Sequence, residues 1–185
     1  MVIDMRKHVI VEGPDGAGKS SLIKIITRDI STLPMHPRDR ASDSISGPVA
    51  SLDHWVVDDL VNMSSRRPSV YDRHPLISEP IYGPITRGKV PGLFNKRRWV
   101  DLGLGYLAAY TVIVICLPPL ATVRRNVATS AQMAGVVEHI NEIWGEYVEL
   151  DHEFRTTPGM RIVRWDYTAM DEADIIRQIN DKREA

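Results

Sequence analysis

Cysteine is nearly absent: Cys116 is the single one in 185 residues. One thiol excludes an intramolecular disulfide. Its place inside the apolar run Val112-Ile113-Val114-Ile115-Cys116-Leu117 reads as core filling rather than nucleophilic chemistry. Net charge is nearly absent as well, at -1, which excludes a general electrostatic pull toward nucleic acid or a membrane surface and makes nucleic acid a poor candidate partner. No apolar stretch approaches the length needed to span a bilayer, and Met1 to Lys7 carries no signal-peptide pattern. The expectation is a cytoplasmic protein without a membrane partner. The 6 histidines show no metal-ligand spacing, and with one cysteine a zinc site is not expected. There is no internal repeat, and no linker separates two domain-sized stretches, so a single domain over 1–185 is expected.

What is present is apolar sequence, 43% of residues against 25% charged, enough for a packed core. Short apolar runs alternate with helical periodicity, which predicts an α/β domain with a mostly parallel sheet. His8 to Glu12, Thr32 to His36, Pro68 to Asp72, Thr111 to Leu117 and Arg161 to Trp165 read as strands. Helices are expected over 19–29, 52–63, 96–109, 119–129, 136–154 and 170–182. The stretch from Pro75 to Asn95, with Pro75, Pro80, Pro84 and Pro91 among Gly83, Gly88 and Gly92, reads as a long irregular loop of the functional kind.

Gly13-Pro14-Asp15-Gly16-Ala17-Gly18-Lys19-Ser20 matches G-x-x-x-x-G-K-[ST] at every fixed position, between an expected strand and an expected helix. The residue choices follow from the charge of a nucleoside triphosphate. Successive backbone N–H groups at a helix N-terminus surround anionic oxygens, and glycine lets the backbone approach closely. Lys19 supplies a cation for the β- and γ-phosphates, and Ser20 offers a hydroxyl to Mg²⁺, which prefers oxygen ligands. ATP and Mg²⁺ are therefore the expected cofactors. Gly13, Asp15, Gly16, Ala17, Gly18, Lys19, Ser20 and the following Ser21 form the expected ATP-binding set.

Val70-Tyr71-Asp72-Arg73-His74 closes the expected third strand, and strand C-termini face the ligand crevice in an open α/β sheet. Asp72 is thus a candidate for Mg²⁺ or for an acceptor hydroxyl, and Arg73 for a phosphate clamp. The strand at 111–117 carries no acid, which leaves Asp72 as the best carboxylate for the metal.

The segment Glu12 to Ser20, the triplet Asp72-Arg73-His74 with Ser78 and Tyr82 downstream, and Leu117-Pro118-Pro119 followed by Val123, Arg124 and Arg125 together resemble thymidylate kinases, within the nucleoside monophosphate kinase group. That resemblance implies a three-layer P-loop kinase fold with a five-stranded parallel sheet flanked by helices. It implies γ-phosphoryl transfer from ATP to a deoxynucleoside monophosphate, most like dTMP. Lys19 and Ser20 would sit at ATP and Mg²⁺, Asp72 near the acceptor sugar or the metal, and Arg73 on the acceptor phosphate. The acceptor region would cover about 36–110 and a short lid about 129–136. The lid segment Ser130 to Gly135 has no arginine, so Arg124 at ATP and Arg125 as a catalytic cation are the nearest substitutes. On the acceptor side His54 stands about where an arginine is expected, and Arg38 is the candidate replacement, with Ser78 and Tyr82 lining the same side. Homodimers are common in the resembled family, and Gly103 and Gly105 would permit close helix packing. Two other readings stay open: a kinase acting on a deoxynucleoside or modified-base hydroxyl, and a P-loop ATPase or nucleotide switch. Small-molecule nucleotides are the expected partners under the first two.

Overall fold

The computed structural model describes residues 7–35, 42–43, 47–48, 52–65, 67–88 and 97–185, with backbone only for 42–43, 47–48, 52–55, 64–65 and 97–100. Strand β1 (His8–Glu12) leads into helix α1 (Lys19–Asp29). A two-residue antiparallel pair follows, β2 (Ser42–Asp43) with β3 (Gly47–Pro48). Then come α2 (Leu52–Ser65), β4 (Val70–Asp72), α3 (Pro75–Arg87) and α4 (Arg97–Tyr110). The chain continues through β5 (Thr111–Cys116), α5 (Leu120–Ala128), α6 (Ile140–Thr156), β6 (Ile162–Trp165) and α7 (Glu172–Glu184).

The main sheet is parallel in the order β4-β1-β5-β6. Every residue of β1 and β5 is buried, which is why these strands read as continuous rather than alternating apolar runs. Helices α1 and α7 touch each other and cover one face, whereas α4 and α6 pack on the other. Fully buried Ile10, Ile113 and Ile115 lie in the sheet, packed with Leu22, Ile26 and Ile143 from the helices. His8 belongs to this core. Its Nδ1 accepts from the Ser69 N–H at 3.0 Å, so Nε2 carries the proton and donates to the Met63 carbonyl at 3.1 Å.

Two expectations are corrected. The described residues form a four-stranded main sheet, not the five-stranded one expected. Where Thr32 to His36 was to supply the extra strand, there is a single parallel bridge from Met35 to Val70 and one bond from the Val70 N–H to the Pro34 carbonyl. Pro34 has no N–H to give a ladder, which limits propagation there. The second correction concerns 75–87, expected as loop and found as a 13-residue helix. Pro75 takes the first turn, where a missing N–H costs nothing. Pro80 and Pro84 lie on the exposed side, so their rings face solvent rather than the core. Leu76, Ile77, Ile81 and Tyr82 bury the opposite side, and that burial outweighs poor local propensity. The Nδ1 atom of His74 caps the helix by accepting from the Leu76 N–H at 3.2 Å, and Gly88 closes it in the left-handed conformation.

Because the strands are parallel, Glu12, Asp72, Cys116 and Trp165 all end at one edge of the sheet. The chain leaves central β1 for β4 on one side and reaches β5 on the other. The crevice of such an open sheet forms at this reversal, directly above β1.

Candidate active site

The loop leaving β1 wraps back over the start of α1. Gly13 has φ 138°, and a Cβ there would be driven into the Cys116 carbonyl oxygen, so only glycine lets the loop pass the end of β5. Cys116 itself is buried, which pushes its thiol up to about 12 and removes it from nucleophilic chemistry. Gly18 caps α1 with φ 85°, leaving Ser20 and Ser21 exposed in the first turn. Lys19 is buried, and its Nζ donates to the Pro14 carbonyl at 2.7 Å across the loop. Burial and the neighbouring Arg73 cation lower the Lys19 pKa.

Beside this cradle lies a closed polar cluster. Glu12 is fully buried at the end of β1. Its Oε1 accepts from the His74 N–H at 2.6 Å and its Oε2 from the Tyr147 hydroxyl at 2.9 Å. Arg73 projects into the same space. Its Nη1 donates to Tyr147 Oη, and its Nη2 to both Asp15 Oδ1 and Tyr82 Oη, each at 2.9 Å. The guanidinium carbon stands 4.7 Å from the centre of the Tyr82 ring. Tyr82 in turn donates to Asp15 Oδ2 at 2.9 Å. Arg73 is the one described non-glycine residue with positive φ, 64°, a conformation that costs on the order of 1 kcal/mol. The backbone is held there by the Arg73 N–H bond to the Val11 carbonyl at 3.0 Å and by the His74 N–H bond to Glu12. Such strain is stored where a side chain must be aimed.

The electrostatics follow from the packing. Burial pushes the Glu12 carboxyl up, opposed by Arg73 and by the bonds from His74 and Tyr147. Burial also works against the Asp15 charge, but Arg73 and Lys19 outweigh it and bring its pKa from 3.8 down to about 2. Since this folded value lies below the unfolded one, the stabilisation is complete above about pH 4 and is lost as pH falls toward 2. Urea unfolding of wild type and Asp15→Asn across that window is expected to show this acid loss in wild type only. Identical profiles would remove Asp15 from the Arg73 pair.

Among the expected site residues, the structure brings Asp15, Lys19, Arg73 and Tyr82 together. Asp72 ends β4 with an exposed side chain, in register with Val11 of the central strand. Ser78 is buried and turns its hydroxyl back to the His74 carbonyl at 3.2 Å. Arg124 and Arg125 are exposed on α5, and Arg124 reaches Asn141 Oδ1 at 2.7 Å. Arg38 and the side chain of His54 lie outside the described residues. Sequence reasoning gave no role to Glu12 and Tyr147. A glutamate ending an otherwise apolar buried strand was the available signal, because a buried carboxylate requires partners. Among the described residues no cluster of three or more His, Cys, Asp or Glu side chains could hold a metal ion. Mg²⁺ needs no such cage, since it keeps several waters and takes one or two protein oxygens beside the phosphates. The Ser20 hydroxyl and the Asp72 carboxylate are exposed oxygens of the required kind.

No protein-family model matches the chain, and no curated protein matches it in sequence. Solved structures do match its fold. The YorR protein of Bacillus subtilis, in complex with phosphorylated GDP, aligns with a TM-score of 0.66 at 16% identity over 95% of each chain. Deoxyadenosine kinase from M. mycoides with bound dATP aligns at 0.59 and 13%, covering 96% of this chain and 100% of that one. A gluconokinase from Sinorhizobium meliloti aligns at 0.52 and 16%, covering 97% and 93%. The chain shares the fold of these proteins, a parallel sheet flanked by helices. Among the described residues, no helix is long and apolar enough to cross a membrane.

Proposed function

We propose that this P-loop chain transfers the γ-phosphoryl group of ATP to a deoxynucleoside monophosphate and releases the diphosphate and ADP. The observation that carries this reading is the Arg73 guanidinium, held 2.9 Å from Asp15 of the loop that contains Lys19. An acceptor-side cation and a donor-side cation are thereby aimed at one crevice. Two anionic phosphates must meet for such a transfer, so positioning and cationic charge do most of the work. A monophosphate oxygen attacks the γ-phosphorus in line, and the bond from that phosphorus to the β,γ-bridging oxygen breaks. The acceptor oxygen is already anionic near neutral pH, so no strong general base is needed. The loop amides and Lys19 bind the donor phosphates, and Arg73 orients the acceptor phosphate. Ser20 and Asp72 would hold Mg²⁺, which neutralises phosphate charge when bound. Arg124 and Arg125 border the donor side, with Arg125 the catalytic cation. Ser78 and Tyr82 line the acceptor side, and Arg38 and His54 complete it.

A second reading is favoured by one observation. Arg73 is already paired with Asp15 and faces Glu12 at 3.9 Å, so its charge is largely neutralised before any acceptor arrives. A neutral deoxynucleoside hydroxyl suits that balance better than a phosphate, with Asp72 as the base. The deoxyadenosine kinase neighbour agrees with this second reading. The deciding experiment follows ADP release from ATP and Mg²⁺ with each deoxynucleoside and each deoxynucleoside monophosphate, dTMP and the purines included. Diphosphate formation from any monophosphate is expected. Monophosphate formation from nucleosides alone would establish the second reading, and hydrolysis unaffected by every acceptor would leave only an ATPase or switch.

A further inference from the structure

Outside the acceptor cluster, one side chain ties three segments of the chain together at the donor loop. Asn126, on α5, gives both amide hydrogens of Nδ2 to protein acceptors: the Gly16 carbonyl at 2.7 Å and Tyr167 Oη at 2.8 Å. A carbonyl only accepts, so the amide nitrogen must face Gly16. The contact is close-packed. Gly16 has φ 74°, and a Cβ there would meet Val127 Cγ1 at 2.9 Å, Asn126 Cβ at 3.1 Å and the Val123 carbonyl at 3.1 Å. Tyr167 leans on the same loop two residues further along, since a Cβ at Gly18 would stand 3.0 Å from its Cδ1.

A trans peptide is planar, with its C=O and N–H pointing opposite ways. Holding the Gly16 carbonyl outward against α5 therefore turns the Ala17 N–H inward. Across the loop that N–H donates to the Pro14 carbonyl at 3.3 Å, the same inner oxygen that Lys19 Nζ bonds, so a polyphosphate entering the cradle would compete with this carbonyl for both donors. We propose that Asn126 is a positioning residue for polyphosphate binding: it fixes the Gly16–Ala17 peptide so that the Ala17 N–H faces the cradle, with Tyr167 as its anchor. The proposal rests on the reading that this loop binds a nucleoside triphosphate. It goes further in assigning a role to a side chain whose amide hydrogens both go to protein acceptors.

Calorimetry with ATP and Mg²⁺, and separately with inorganic tripolyphosphate and Mg²⁺, tests it on the full chain. Asn126→Asp keeps the shape but donates nothing, and Asn126→Ala controls for the added charge. Both are expected to weaken both ligands at least about tenfold, the loss of two hydrogen bonds. Tyr167→Phe removes only the anchor hydroxyl and is expected to weaken both about two- to tenfold. In turnover assays the ATP KM rises while the acceptor KM stays unchanged, a split that general loosening of the fold would not give. Unchanged affinity in both Asn126 variants overturns the proposal. So does a loss confined to ATP with tripolyphosphate binding intact, since that places the side chain at the nucleoside. Should the Asn126 variants fail to fold, Tyr167→Phe decides, and wild-type affinity in it is equally fatal. Wild-type protein that binds neither ligand overturns the triphosphate reading and this inference together. Wild-type binding with unaffected variants overturns the inference alone.

Discussion

Replacing Lys19 with alanine is expected to lower kcat by on the order of 10²- to 10³-fold or more while the protein stays folded. Lys19 is buried, with its Nζ 2.7 Å from the Pro14 carbonyl and 3.9 Å from Asp15 Oδ1. Its pKa is lowered by burial and by Arg73, so the ammonium sits in a place that disfavours its charge. Asp15 is shared with Arg73, so under the proposed function a triphosphate would add counter-charge to Lys19, and the cation would then work where charge spreads over the transferred phosphoryl oxygens. Alanine removes that cation from a desolvated site, where electrostatic interactions exceed their strength in water. Steady-state kinetics with the best acceptor measures the effect. A near-normal kcat in Lys19→Ala would remove the loop from the chemistry.

The second large effect is expected at Arg73, and here activity and stability should part company. Arg73→Ala leaves Glu12 and Asp15 without the guanidinium that neutralises both, and it removes the donor from Tyr147 and Tyr82. Deleting one partner of a fully buried pair costs more, but Arg73 and Asp15 are only part-buried, so a loss of about 1–3 kcal/mol is expected. The acceptor KM should rise strongly as well. Arg73→Gly deletes the same side chain but suits φ 64°. It should therefore be more stable than Arg73→Ala by roughly 1 kcal/mol, with the same acceptor defect. Chemical denaturation read beside acceptor kinetics separates these effects. An alanine variant as stable as the glycine one would mean that the backbone is not strained at this position. An unchanged acceptor KM in both would move acceptor binding away from Arg73.

The parts legible in advance were those encoded over a few residues. Gly13 to Ser20 match the phosphate-loop pattern, which is legible because glycine spacing and a lysine at a helix start are local demands of backbone shape and charge. The buried strands His8–Glu12 and Thr111–Cys116 announced themselves by the continuous apolar runs at 9–11 and 112–116. The helix from Pro75 to Arg87 did not, because its prolines argue against helix locally while the burial of Leu76, Ile77, Ile81 and Tyr82 is a property of what packs against it. The weak outer strand failed in the opposite sense. Thr32 to His36 has strand-like residues, but pairing next to β4 shrinks to the Met35 bridge with Pro34 in the segment.

By itself, then, the sequence determined that this protein has an α/β sheet, that a glycine-rich loop of the phosphate-binding pattern follows its first strand, and that Asp72 and Arg73 stand at the end of a later strand. Only the tertiary structure decided what Arg73 faces. Its hydrogen-bond partners Asp15 and Tyr147 stand 58 and 74 residues away in the chain, and Tyr147 reaches Glu12 across 135. No local pattern encodes such distances. They close because parallel pairing sets β4 beside β1 and because α6 packs on the same sheet. Once buried together, these polar groups are stable only by satisfying one another.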